Sequence, residues 1–219
     1  MARARAGDAA RVRLDAVIAS IDDALGATNQ AREAALPACR RAIRAAGSSI
    51  RAVHGLDAAQ AAALVAECEA AIREAQGLLG PFPALAQAGY LHDAEKEFVE
   101  ARAVAALVSG DQVPGPDELG VSPTAWMRGL AEAASELRRH LLDRLRDGDL
   151  DLGEALLGRM DDVYAALVVV DYPDAVTNGL RRTLDALRAV LERSRGDVTT
   201  TVLQARLQRA IEGGSATST

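Results

Sequence analysis

The sequence predicts an all-α protein built as a single domain. Three observations lead there. Alanine, leucine and arginine, all strong helix formers, dominate most of the chain. Apolar residues recur every third or fourth position rather than alternating. Val, Ile, Thr and aromatic residues gather into no strand-like run; the one β-like stretch, Leu167 to Val170, lies inside a longer helical pattern. A length of 219 residues fits one large domain or two small ones. No linker and no internal repeat divides the chain. The expectation is a bundle of about seven helices over residues 1–212, with a disordered, small and polar tail at 213–219.

Punctuation places the elements in order. A first helix runs from about Asp8 to Leu25, with Leu14, Val17, Ile18, Ile21 and Leu25 as its apolar stripe. A second begins near Thr28 or Asn29 and ends at His54 before Gly55, with a kink or short break at Pro37. Asp57 caps a third, which ends near Gly80. A fourth runs from about Pro83 to Val108, loosened at Gly89. Ser109 to Gly120, with two prolines and three glycines, is the clearest loop. Ser122 then caps a fifth helix, with Pro123 in its first position, that reaches Arg146. Asp149 caps a sixth, to about Val170. A seventh runs from about Pro173 to Ser194, with Tyr172 and Asp174 expected at its cap, and a weaker helix follows from Thr199 to Ile211. Helices this long often carry a further apolar face for a second subunit.

Composition narrows the function. No run of apolar residues is long enough to span a membrane. Arg3 and Arg5 precede no apolar segment, so no secretory signal is expected. Cys39 and Cys68 cannot build a disulfide framework or a zinc site alone, and are read as small core residues in a reducing, cytoplasmic setting. A net charge of −6 argues against a surface coated with positive charge. Of the 25 basic residues only Lys96 is lysine. A GC-rich genome produces that bias, and arginine also binds phosphate bidentately.

Two places put carboxylates where a plain bundle would prefer apolar side chains. Glu97 and Glu100 are three apart in the fourth helix, and Glu132 and Glu136 are four apart in the fifth among small residues. Each pair shares a helix face and repels itself by a few tenths of a kcal/mol. If the pairs converge, a hard divalent cation would relieve the repulsion, and oxygen-only ligation suits Mg²⁺ or Mn²⁺ and phosphoryl chemistry. A di-iron bundle would need Glu-x-x-His on two helices, which neither has. A glutamate pair is also commonly a solvated face, and spacing alone leaves both readings open.

At these residues the sequence resembles the translin/TRAX family, in particular the prokaryotic members similar to the ribonuclease complex C3PO. Arg32-Glu33, Arg40, Ile43, Arg44, Ser48, Ile50, Arg51 and His54 resemble the family's second helix. Glu97-Phe98-Val99-Glu100-Ala101 resembles a segment of its TRAX branch, and Leu130 to Arg138 a later family segment. Gly148-Asp149, Met160, Tyr164, Asp171 to Asp174 and Gly179 to Arg182 resemble the C-terminal half. The resemblance implies a seven-helix bundle assembling into closed hexamers or octamers around RNA. It implies that Glu97, Glu100, Glu132 and Glu136 bind Mg²⁺ or Mn²⁺ and cut RNA; the family often has Asp where this chain has Glu132, whose side chain is one methylene longer. The acids around Glu95 to Glu97 are similar to the catalytic branch rather than to translin itself.

Arg40, Arg44 and Arg51, spaced along one helix, are the candidate phosphate contacts on RNA; each could instead be a surface arginine paired with a nearby glutamate. His54, His92 and His140 are too scattered for a zinc site and read as structural, and Trp126 as a core or interface anchor. Three functions follow: a homo-oligomeric metal-dependent endoribonuclease, a translin-like protein binding RNA or single-stranded DNA without catalysis, and a helical scaffold with no nucleic-acid role. The acidic quartet favours the first.

Overall fold

The computed structural model describes residues 2–216, with side chains from 11 to 212; of the tail expected at 213–219, the backbone of 213–216 is helical rather than disordered, and 217–219 lie outside the described residues. Those residues form helices and no strand. The elements are α1 (Ala2–His54), α2 (Ala58–Leu79), α3 (Pro83–Ala86), α4 (Tyr90–Ser109), α5 (Pro116–Leu119), α6 (Pro123–Arg146), α7 (Leu150–Val168), α8 (Asp174–Thr177) and α9 (Leu180–Ala216). α1 packs on α2 and α4, α4 on α6, and α6 on α7 and α9. The core is mostly alanine and leucine, with Phe98 as its largest wholly buried side chain.

Three of the expected caps are present. Asp57 accepts from the Gln60 amide at 2.9 Å, Ser122 from Ala125 at 3.3 Å and Asp149 from Leu152 at 3.2 Å. Each satisfies an amide that the first helical turn leaves without a partner. Cys39 and Cys68 are buried free thiols, and burial pushes the Cys68 thiol up to about 12. Trp126 packs half-buried against the core, and its indole Nε1 donates to the Pro114 carbonyl at 2.9 Å, pinning the loop before α6.

Other boundaries differ from expectation. The first two helices are one, because Thr28 does not cap: its hydroxyl donates back to the Ala24 carbonyl at 2.8 Å. Pro37 removes one backbone hydrogen bond, yet α1 continues through it, held by the buried Ala35, Ala38, Cys39 and Ala42. The expected fourth helix splits at Gly89, whose φ of 95° is open to glycine and strained for other residues, so α4 starts only at Tyr90.

Tyr172 and Asp174 do not cap a helix. Pro173 holds that position without a side-chain bond, Tyr172 is exposed, and Asn178 and Gly179 turn the chain left-handed into α9. The last two expected helices also merge. Arg138 of α6 spans the expected gap, donating to Ser194 Oγ at 3.0 Å and Asp197 Oδ2 at 2.8 Å, and Val198 beyond it is buried.

Both long helices overhang the bundle. From Arg11 to Ala34 of α1 no side chain is buried, and Leu14, Val17, Ile18, Ile21 and Leu25 all lie exposed. Beyond Val198 in α9 the same holds among the described side chains, with Leu203, Leu207 and Ile211 exposed.

α4 and α6 come close together at Gly129. A Cβ there would lie 2.5 Å from the Lys96 carbonyl oxygen and 2.7 Å from Val99 Cβ. Those atoms are helix backbone and a stiff β-branched side chain, and neither can move aside alone. Gly129→Ala is expected to destabilise the fold by about 1–3 kcal/mol through overpacking, read as a fall in the chemical denaturation midpoint. Gly158→Ala in α7, where a Cβ meets nothing within 4 Å, is expected to leave stability unchanged or raise it by up to about 1 kcal/mol.

Candidate metal centre and nucleic-acid face

The paired acids of α4 and α6 face each other across the contact that Gly129 permits. Glu97, Glu100 and Glu132 each place one carboxylate oxygen within 4.8 Å of the others. At that separation two ionised carboxylates repel by about 3–4 kcal/mol at an effective dielectric near 20. The protein answers part of this charge. Lys96 Nζ donates to Glu97 Oε1 at 2.9 Å and also to Glu132. Arg128 lies farther away, 3.9 Å from Glu132. Glu100 forms no ion pair among the described residues. Burial first, and then the neighbouring Glu97 and Glu132 charges, push its carboxyl up to about 8.

Glu136 stands apart from the other three. Its Oε1 accepts from His54 Nε2 at 2.7 Å, and that bond holds its carboxyl below the usual range. The His54 side chain is 3% exposed, and its Nδ1 is buried without a partner. His140, one turn after Glu136 on α6, lies with its ring centroid 6.3 Å from that of His54. Burial holds His140 and His92 below the usual histidine range. The structure thus brings three of the four expected acids together and ties the fourth to a histidine of another helix. Sequence reasoning did not link His54 to Glu136 or Lys96 to the acids. His54 is 82 residues from its partner, and no local pattern joins them.

Arg40, Arg44 and Arg51 all project from α1 into solvent and form no ion pair among the described residues. The Arg51 side chain donates to Ser48 Oγ at 2.8 Å. Steps of three or four residues make Arg40, Arg44, Gly47, Arg51 and His54 one stripe, about 21 Å long at 1.5 Å per residue. The stripe ends on the histidine that holds Glu136, so unpaired positive charge leads toward that carboxylate. On α6, Arg139 is exposed next to Ser135 and Glu136.

The Glu100 shift fixes the sign of a pH effect. A carboxyl whose folded pKa lies above its unfolded value retains a proton that the unfolded chain releases. Stability is then full below about 4.5 and is lost as pH rises toward about 8. In EDTA the fall should approach about 1.4 kcal/mol per pH unit within that window, and Glu100→Gln should flatten it; denaturant titration at a series of pH values measures both. His54→Ala should move the Glu136 carboxyl upward, read by carbon NMR of the glutamate side chains; an unmoved Glu136 would mean that the bond is not formed in solution.

No protein-family model matches the sequence. An uncharacterized protein of Methanocaldococcus jannaschii is 32% identical over 125 residues, which are 57% of this chain and 56% of that protein. The chain thus spans about half the length of this curated relative. Solved structures match further. The crystal structure of AfC3PO aligns with a TM-score of 0.79 at 27% identity, over 87% of this chain and 98% of that one. A complex of AfC3PO with duplex RNA aligns at 0.70 and 31% identity over the same shares. Apo-NeC3PO, at 0.72 and 19% identity over 83% of this chain and 96% of that one, shares the fold. With an all-helical fold common to these structures and 31% identity across nearly the whole of one of them, the chain belongs to the C3PO-like proteins of the translin/TRAX family.

Proposed function

We propose that this protein is a divalent-metal-dependent endoribonuclease that acts on RNA inside a closed homo-oligomer. The observation that carries this reading is the convergence of Glu97, Glu100 and Glu132 from two helices, with Glu100 in no ion pair among the described residues. Three carboxylates with no nitrogen or sulfur donor suit Mg²⁺ or Mn²⁺, and these three residues would hold it. The ion would supply charge stabilisation at the scissile phosphate and a more acidic water. Glu136, held apart from the three by His54 with its carboxyl below the usual range, is the remaining carboxylate that would accept a proton from water through its second oxygen.

Arg40, Arg44 and Arg51 bind the RNA backbone and guide it along α1 toward His54. The likeness to a chain solved with duplex RNA supports RNA as the ligand. The exposed apolar stripe of α1 and the exposed leucines of α9 are surfaces for neighbouring subunits in a hexamer or octamer. Enclosure reconciles the net charge of −6 with RNA binding, because the arginine stripe needs to be positive only locally. No described helix is long and apolar enough to cross a membrane, and two buried free thiols agree with a cytoplasmic setting.

A second reading has one observation in its favour. Lys96 already neutralises part of the charge on Glu97 and Glu132, so the cluster also fits a protein that binds RNA or single-stranded DNA without cutting it. Cleavage of a short labelled RNA separates the two. Activity is expected with Mn²⁺ or Mg²⁺, none in EDTA, and losses of about 100-fold or more in Glu100→Ala and Glu136→Ala. RNA bound but never cleaved establishes the second reading. Arg44→Ala should weaken binding for all sequences alike and reduce the salt slope by about 1, measured by fluorescence anisotropy across salt concentrations.

A further inference from the structure

We propose that Lys96 is a resident counter-cation, whose ammonium holds Glu97 and Glu132 together in the ion-free chain and gives them up when a divalent ion binds. The inference rests on the metal-centre reading and adds a residue that the reading does not contain.

The geometry carries it. Lys96 Nζ lies between one carboxylate of its own helix and one of the facing helix, donating to Glu97 Oε1 at 2.9 Å and to Glu132. The side chain is 11% exposed. Those two carboxylates, with Glu100, are the oxygens gathered within 4.8 Å. The ammonium therefore occupies the edge of the cluster that a divalent ion would need. Three carboxylates against one ammonium leave negative charge in excess, and Glu100 has no ion-pair partner among the described residues. Exchanging a single charge for a double one matches the cluster better.

The residue type suits exchange. An ammonium is a compact point charge on a flexible four-carbon stem, and it can withdraw by rotating. A guanidinium would lock onto both carboxylates through its planar fork. Every other basic residue of the chain is arginine, and the one lysine stands here. Until exchange, the ammonium keeps the carboxylates of α4 and α6 at close range, so the site is assembled before the ion arrives. Lys96 is thus a positioning residue.

A single lysine makes the test direct. An amine-acylating reagent can label only Lys96 and the chain's α-amino group, and peptide mass analysis separates the two. Labelling at constant pH, in EDTA and across a Mn²⁺ titration, is paired with Mn²⁺ binding followed by electron paramagnetic resonance in the same samples. Labelling of Lys96 is expected to be slow in EDTA and to rise about tenfold or more as Mn²⁺ fills the site. Lys96→Met is expected to bind Mn²⁺ about tenfold more tightly, since a competing charged hydrogen-bond donor is gone, and Lys96→Arg less tightly than Lys96→Met. Mn²⁺ bound with unchanged Lys96 labelling overturns the inference and leaves Lys96 as a structural tie between α4 and α6. Absence of Mn²⁺ binding in both the native chain and Lys96→Met sinks the metal-centre reading itself, and the inference with it. Should Lys96→Met fail to fold, the labelling of the native protein decides alone.

Discussion

The close approach of α4 and α6 is the constraint on which the rest of the molecule depends. Two helices meet backbone to side chain only where one of them lacks a Cβ, and Gly129 supplies that position against the Lys96 carbonyl and Val99. The approach brings Glu97 and Glu100 from one side and Glu132 from the other into one group. A wider separation, set by any larger residue at 129, would leave two solvated acidic stripes. The catalytic expectation therefore hangs on a residue with no side chain.

Bringing like charges together is unfavourable, and the structure shows how the cost is distributed. Lys96 spans the helix gap and neutralises part of two carboxylates. His54, from α1, restrains Glu136 and keeps it ionised. Glu100 forms no ion pair among the described residues, and burial with the Glu97 and Glu132 charges pushes its carboxyl up to about 8. Four glutamates of the same chemical type thus hold three different electrostatic states, each set by its neighbours. Such a spread is what a site needs if some groups are to hold a cation and another to move a proton.

The long helices serve a different end. α1 contributes its second half to the core and leaves its first half, with an apolar stripe, uncovered. The same helix carries the arginine stripe that runs to His54. One element therefore links the bundle, Glu136 and the uncovered apolar surface. The overall negative charge does not oppose phosphate binding, because Arg40, Arg44 and Arg51 form no ion pair that would cancel them among the described residues.

Much was readable along the chain. Helix class followed from period and composition, the caps at Asp57, Ser122 and Asp149 from hydrogen-bonding chemistry local to a few residues, and the pairing of Glu97 with Glu100 and of Glu132 with Glu136 on shared faces from helical spacing alone. These features are decided within one or two turns, so the sequence by itself determines them. Thr28 and the stretch after Ser194 show the limit. Whether a hydroxyl caps a new helix or bonds back into the old one, and whether Arg138 bridges an apparent gap, depends on what packs alongside. The same holds for the site. That Lys96 lies between Glu97 and Glu132, that His54 reaches Glu136 across 82 residues, and that three acids converge while one stands apart are matters of tertiary structure. Only packing sets distances between residues on different helices, and electrostatics at a site is a function of those distances.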